Sequence, residues 1–190
     1  MLLPADVTLG ILAGGRGSRL GGRDKAWLIR NGQPQVRQVA AQLAHACGSI
    51  LVSANARFDR YRAHGLETVA DITRDVGPMG GLEALADACR TRWLLTVPID
   101  LVEVPDRVLG RLAEAGEPGA VVEDDDGPQP LLALYEVDPL RRACAVALES
   151  GAFSVQAMQG QLGLPAVHFA GVRIGNLNTA EDVNLAGIQL

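Results

Sequence analysis

Val7-Thr8-Leu9-Gly10-Ile11-Leu12 runs directly into Ala13-Gly14-Gly15-Arg16-Gly17-Ser18-Arg19-Leu20-Gly21-Gly22-Arg23-Asp24-Lys25. The first six residues form a short, largely apolar run that stops at glycine, which reads as a buried strand. Five glycines then fall within the nine residues from Gly14 to Gly22. Glycine lets the backbone come close to a ligand and lets successive amides turn inward. Arg16, Arg19, Arg23 and Lys25 lie in this loop or just past it. A flexible turn would account for the glycines alone. A strand, a glycine loop and four cations together describe a cradle for a polyphosphate.

Two better-known cradles are excluded by spacing. A Walker A loop needs Gly-Lys followed by Ser or Thr, whereas Lys25 sits between Asp24 and Ala26. A dinucleotide fingerprint needs a third glycine three residues after Gly17, and Leu20 stands there.

Outward from this stretch, apolar runs alternate with amphipathic ones. Val36, Val39, Ala40, Leu43, Ala44 and Cys47 share one helical stripe after Pro34. Ile50–Val52 and Glu67–Ala70 read as strands. Pro78 opens a helix whose Met79, Leu82, Leu85, Ala86 and Cys89 share a face. Trp93–Val97 is the next strand, and Pro105, which suits a first helical turn, starts the following helix. Ala120–Glu123 and Leu131–Tyr135 are strands around the polar turn Asp124–Pro128. Val137, Leu140, Cys144, Ala147 and Leu148 mark another helix, Val167–Phe169 a strand, and a closing helix starts at Thr179. This alternation predicts a single doubly wound, Rossmann-like α/β domain over residues 1–190 with a mostly parallel sheet. The closer spacing of the later strands predicts an antiparallel edge strand. Ligands of such sheets bind beyond the carboxyl ends of the strands.

With 190 residues and 48% hydrophobic content, the chain suffices for one substantial core. Its net charge is −5 and its basic residues are scattered, which argues against a nucleic-acid partner. No apolar run reaches membrane-spanning length and no signal sequence is evident, so a cytoplasmic protein is expected. Cys47, Cys89 and Cys144 fall on apolar helix faces and read as buried free thiols. His45, His64 and His168 show no metal-ligand spacing.

The stretch from Leu12 to Lys25 resembles the signature L-A-G-G-x-x-x-R-M-G-G-x-D-K of the molybdenum cofactor guanylyltransferases (MobA-like proteins), within the nucleotidyltransferase superfamily. Leu20 in place of Met is its one departure, and the resemblance extends over nearly the whole chain. It implies that Arg19 and Lys25 contact a triphosphate and that Leu12, Ala13, Gly14 and Gly15 lie near a guanine. Related cytidylyltransferases usually carry Ala-Ala-Gly here, so Ala13-Gly14-Gly15 points to GTP rather than CTP.

Asn55 and Asp71 each follow a predicted strand. Read alone they are turn residues or readers of a purine edge and ribose hydroxyls; the resemblance implies nucleotide contacts. Gly77-Pro78-Met79-Gly80-Gly81 resembles the family's G-P-L-A-G, a tight helix entry beside the same pocket. Asp100 follows the Trp93–Val97 strand. It is a solvated loop aspartate or, as the aspartate of the family's P-C-D-T-P would be, a magnesium ligand. Ile99, Leu101 and Val102 replace Cys, Thr and Pro of that motif. Asn176-Leu177-Asn178-Thr179-Ala180-Glu181-Asp182 resembles N-x-N-T-P-E-D. Thr179 there suits a helix N-cap, and the resemblance implies that Asn176 and Asn178 face a pterin acceptor. Two acceptor-side features differ: Gln129-Pro130-Leu131 stands for H-P-T, and Gly151–Val155 lacks the usual arginine.

The resemblance therefore implies a nucleotidyltransferase that uses Mg2+ and moves GMP from GTP to molybdopterin. Residues 1–100 would serve nucleotide and metal, and residues 101–190 the acceptor. Its implied catalytic residues are Arg19, Lys25 and Asp100. Partners would be GTP, molybdopterin and, transiently, cofactor-handling proteins, with no nucleic acid and no membrane. Two alternatives remain open at this point: a transferase with another phosphorylated acceptor, and a guanine-nucleotide-binding protein without transfer.

Overall fold

A computed structural model describes residues 2–14, 24–105, 107–175, 177 and 188–189. The apolar run becomes β1 (Val7–Leu12), every residue of which is buried. It lies inside a seven-stranded sheet, paired in parallel with β4 (Ser49–Ser53) and β6 (Trp93–Pro98). β5 (Glu67–Val69) extends the sheet beyond β4. On the other side β6 is followed by β8 (Gly127–Glu136), β7 (Gly119–Asp124) and β9 (Ala166–His168). β8 runs antiparallel to both neighbours, while β7 and β9 are parallel to each other. The sheet is thus mostly parallel, and its antiparallel member is an inner strand. A second, three-stranded antiparallel sheet joins β2 (Ile29–Arg30), β3 (Gln33–Pro34) and β10 (Ile188–Gln189).

Helices cover both faces. On one side lie α1 (Gln35–Leu43), α2 (Phe58–Ala63) and α4 (Val108–Glu114), which bury Val36, Val39, Tyr61, Val108 and Leu112 in one apolar cluster against the sheet. On the other lie α3 (Pro78–Ala88), α5 (Val137–Glu149) and α6 (Val155–Leu162), which bury Met79, Leu82, Leu85, Leu140, Cys144 and Met158. Each such side chain contributes about 1.5–3 kcal/mol relative to exposure. An exposed pair such as Arg62–Asp59 contributes at most about 1 kcal/mol. The apolar faces therefore decide the fold.

Several local features depart from the sequence expectation. α1 tightens into a 3-10 turn at Ala44–Ala46, so Ala44 is exposed although Cys47 beyond it is buried. Pro105 does not start α4: Val108 N–H closes a turn onto its carbonyl, and Arg107 takes a left-handed conformation (φ 57°) that delays the helix to Val108. β2 and β3 are joined by Asn31-Gly32, both at positive φ, the geometry that a two-residue hairpin loop demands. α2 and α6 were not expected. α2 has one fully buried anchor, Tyr61, among charged neighbours, which leaves no stripe to detect. The expected closing helix from Thr179 lies outside the described residues.

Candidate active site

The chain reverses its winding direction at β1, where β4 and β5 lie to one side and β6 and the later strands to the other. A crevice opens at the carboxyl ends of strands where order reverses in this way. Leu12, at the end of β1, is in register with Ser53 and with Pro98. Beyond the strands, Ala13 N–H donates to Ser53 O (3.0 Å), Ile99 N–H to Leu12 O (3.0 Å) and Ala54 N–H to Val69 O (2.9 Å). Gly14, Asn55, Asp71 and Asp100 are thereby delivered to one edge. The Ala13 amide extends the strand ladder, and Gly14 is the exposed member of the stretch. Gly15 and Arg19 lie outside the described residues.

Lys25 reaches the same edge from the far side of the glycine loop. It opens a 3-10 turn, Lys25–Trp27, capped by Asp24, whose carboxylate accepts from Ala26 N–H (3.1 Å). Trp27 pins the turn to α2. Its ring packs 4.7 Å from that of Tyr61, and the Arg60 guanidinium lies over it at 4.0 Å. Arg57 approaches Asp24 at 3.8 Å. So braced, Lys25 Nζ stands 3.3 Å from Asp100 Oδ2.

Among the described residues, no group of three or more His, Cys, Asp and Glu side chains is arranged to hold a metal ion. Asp100 instead offers one hard carboxylate, with 27% of its side chain exposed. That donor set suits magnesium, which keeps several waters and takes one or two carboxylates together with substrate phosphate. The residues present thus fit the ion that the resemblance implied.

Beyond the carboxyl ends of β4 and β5, Asn55 and Asp71 face each other. Asn55 Nδ2 donates to Asp71 Oδ2 (2.7 Å), and Asp71 N–H donates to Asn55 Oδ1 (2.9 Å). The Ser53 hydroxyl donates to the second carboxylate oxygen (3.3 Å). Sequence reading had assigned only Asn55 and Asp71 from this set; the position of Ser53 at a strand's carboxyl end was the signal for it. A Cβ on Gly14 would stand 3.7 Å from Asn55 Nδ2, so the loop borders this pair. α3 closes the wall. A side chain at Gly81 would collide with Ser53 Oγ (2.6 Å), and one at Gly80 with Thr73 O (2.3 Å). Glycine, with no Cβ, lets the helix enter so closely at these two positions.

The β7–β8 hairpin turn, residues 172–175 and Leu177 come to the same end of the sheet. Val102 N–H donates to Gly175 O (3.0 Å), and Leu177 N–H to Asp100 O (2.8 Å). Asp124, almost fully buried, ties the two together: it accepts from Ile174 N–H (2.7 Å), Asp126 N–H (3.0 Å) and the Gln129 side chain (3.3 Å). Burial would raise its carboxyl, but these bonds and one from Gly127 N–H outweigh that and hold it below its ordinary value. Gln129-Pro130-Leu131 lies on a bulge of β8, where the register with β7 shifts between Val121 and Val122. Asn176 and Asn178 lie outside the described residues.

Residues 9–162 match the profile of the MobA-like NTP transferase domain. The chain belongs to that family. A molybdenum cofactor guanylyltransferase of Cupriavidus necator is 32% identical over 194 residues, covering 96% of this chain and 97% of that protein. One of Vibrio campbellii is 33% identical, covering 96% of each. Among solved structures, molybdopterin-guanine dinucleotide biosynthesis protein A from Archaeoglobus fulgidus superposes with a TM-score of 0.71 at 21% identity, over 94% of this chain and 96% of that one. Among the described residues no helix is long and apolar enough to cross a membrane.

Proposed function

We propose that this chain transfers GMP from GTP to the terminal phosphate of molybdopterin, releasing pyrophosphate and forming the guanine dinucleotide cofactor. The observation that carries this reading is the Lys25–Asp100 pair at the sheet's reversal point, 3.3 Å apart, in a chain of the MobA-like NTP transferase family. The names of the two relatives above support the choice of nucleotide and acceptor.

Residues 1–100 hold the nucleotide and 101–190 the acceptor. Lys25, with Arg19 from the glycine loop, offsets charge on the β- and γ-phosphates. Asp100 holds magnesium, which when bound neutralises triphosphate charge. Leu12 to Gly15 lie along the guanine, and Asp71, set by Asn55 and Ser53, accepts from its donor edge. Guanine offers donors at N1 and N2, which suits an acceptor-only carboxylate. Asn176 and Asn178 face the pterin.

In the reaction an oxygen of the acceptor phosphate bonds to the α-phosphorus of GTP. The bond from that phosphorus to the bridging oxygen breaks, and pyrophosphate leaves with the electron pair. A phosphate monoester is already ionised near neutral pH, its second pKa being about 6, so the chain needs no general base. Its contribution is alignment and preorganised charge. We place this chemistry in the cytoplasm, where the three buried free thiols stay reduced.

Incubation with GTP, magnesium and molybdopterin, followed by mass spectrometry, should reveal the guanine dinucleotide; its absence at full GTP occupancy would refute the reading. One observation favours a second reading, transfer to another phosphorylated acceptor. Gln129, where the family carries His, turns its amide to Asp124, and Gly151–Val155 presents exposed Phe153 instead of arginine. Turnover with another phosphorylated metabolite, and none with molybdopterin, would establish it.

A further inference from the structure

We propose that Gln35 is a positioning residue that sets the spacing between Lys25 and Asp100, an inference that rests on the reading of Asp100 as a metal ligand. Gln35 is the first residue of α1 and is completely buried. Its backbone N–H donates to Leu28 O (2.8 Å), and Leu28 N–H donates in turn to Lys25 O (3.3 Å), which braces the lysine's turn. Its side-chain amide Nε2 donates to Leu101 O (2.7 Å) and Ile99 O (3.3 Å), the carbonyls on either side of Asp100. One residue therefore holds the backbone next to both members of the pair. The two carbonyls fix the amide's orientation, since the reverse would set oxygen against oxygen.

A second observation separates this role from ordinary packing. Gln35 Oε1 is buried and has no hydrogen-bond partner among the described residues. The neighbouring core positions of α1 are Val36, Val39, Ala40 and Leu43. An apolar side chain at position 35 would fill the same space without the cost of an orphaned carbonyl. What only the amide supplies is the pair of bonds around Asp100. Gln42, whose Oε1 accepts from Val104 N–H (2.8 Å), and Arg30, which donates to Val102 O, secure the later part of that loop. Neither bonds Ile99 or Leu101, the residues on either side of Asp100.

The test compares GTP affinity with EDTA and with Mn2+, which gives the metal-dependent gain in binding for each variant. Gln35→Leu and Gln35→Met should fold, as thermal unfolding will show, and should keep the EDTA affinity. Their metal-dependent gain should fall about tenfold or more, as is usual when a group orienting a ligand is lost. In an Asp100→Asn background Gln35→Leu should cause no further fall, because the ligand it orients is gone. An unchanged gain, an equal further fall in that background, or failure of both variants to fold would overturn the inference. If Asp100→Asn itself leaves the gain intact, Asp100 is not a metal ligand and both ideas fall. If Asp100→Asn removes it and the Gln35 variants do not, only the positioning role falls.

Discussion

Lys25 Nζ and Asp100 Oδ2 lie 3.3 Å apart although 75 positions separate them in the chain. Both side chains are partly exposed, at 20% and 27%. A pair of that kind adds at most about 1 kcal/mol to stability, so stability does not account for it, and the role proposed for it is catalytic. Lys25→Ala and Asp100→Ala should each slow GMP transfer on the order of 100-fold or more, with little change in Tm. Because both act on one triphosphate, the double variant should lose less than the product of the two. Steady-state kinetics and thermal unfolding of the three variants check this; full rate in either single variant refutes its role.

Asp71 is held by Asn55 and Ser53 with its carboxylate at the crevice. Removing an acceptor for guanine's donors should raise KM for GTP far more than it lowers kcat. Asp71→Ala should cost roughly 1.5–3 kcal/mol of binding, the usual worth of a bond to a charged group. Preference for GTP over ATP should shrink by a similar amount. A purine preference left intact would remove Asp71 from the recognition of the base.

Asp124 joins the β7–β8 turn to residues 172–175 through Ile174, and its hydrogen bonds keep its carboxyl below its ordinary 3.8. A depressed folded value means that its stabilisation is complete above about pH 4 and fades as pH falls through the folded value. Asp124→Asn should therefore lower stability at pH 7 by about 2 kcal/mol, or Tm by roughly 5 °C. The gap between variant and parent should narrow below pH 3.8. Unfolding curves at pH 7 and pH 3 provide the check, and a gap that widens in acid contradicts the assignment.

Burial pushes the Cys47 thiol up to about 11 and that of Cys144 up to about 12. Little thiolate exists at neutral pH, so alkylation of the folded protein at these two should be on the order of 100-fold or more slower than for a free thiol. Urea should expose all three cysteines to rapid reaction. Mass spectrometry of iodoacetamide-treated protein reads this directly, and rapid labelling of native Cys144 would show that α5 and α6 do not seal it.

The parts of this molecule that were legible in the sequence are those with strong periodicity or glycine punctuation. β1, α1, α3, β6 and α5 all bury one clear stripe or run. The carboxyl-end positions of Asn55, Asp71 and Asp100 follow from where β4, β5 and β6 stop. Other features depend on contacts distant in sequence. Gln35 looks like one polar residue ahead of an apolar stripe, and only the fold brings Ile99 and Leu101 to its amide. α2 is held by Tyr61 against Trp27, an aromatic contact that no local pattern announces. The β2–β3 hairpin was readable from Asn31-Gly32, but two-residue strands carry no alternation. The inner placement of β8 reflects sheet order, which strand spacing alone does not encode.

The most direct test is pyrophosphate release measured with each of the four nucleoside triphosphates, with magnesium and molybdopterin present. Release with GTP that depends on molybdopterin and is lost in Lys25→Ala and Asp100→Ala is the predicted result. Equal release with all four triphosphates, or none with GTP while it is bound, would contradict the account.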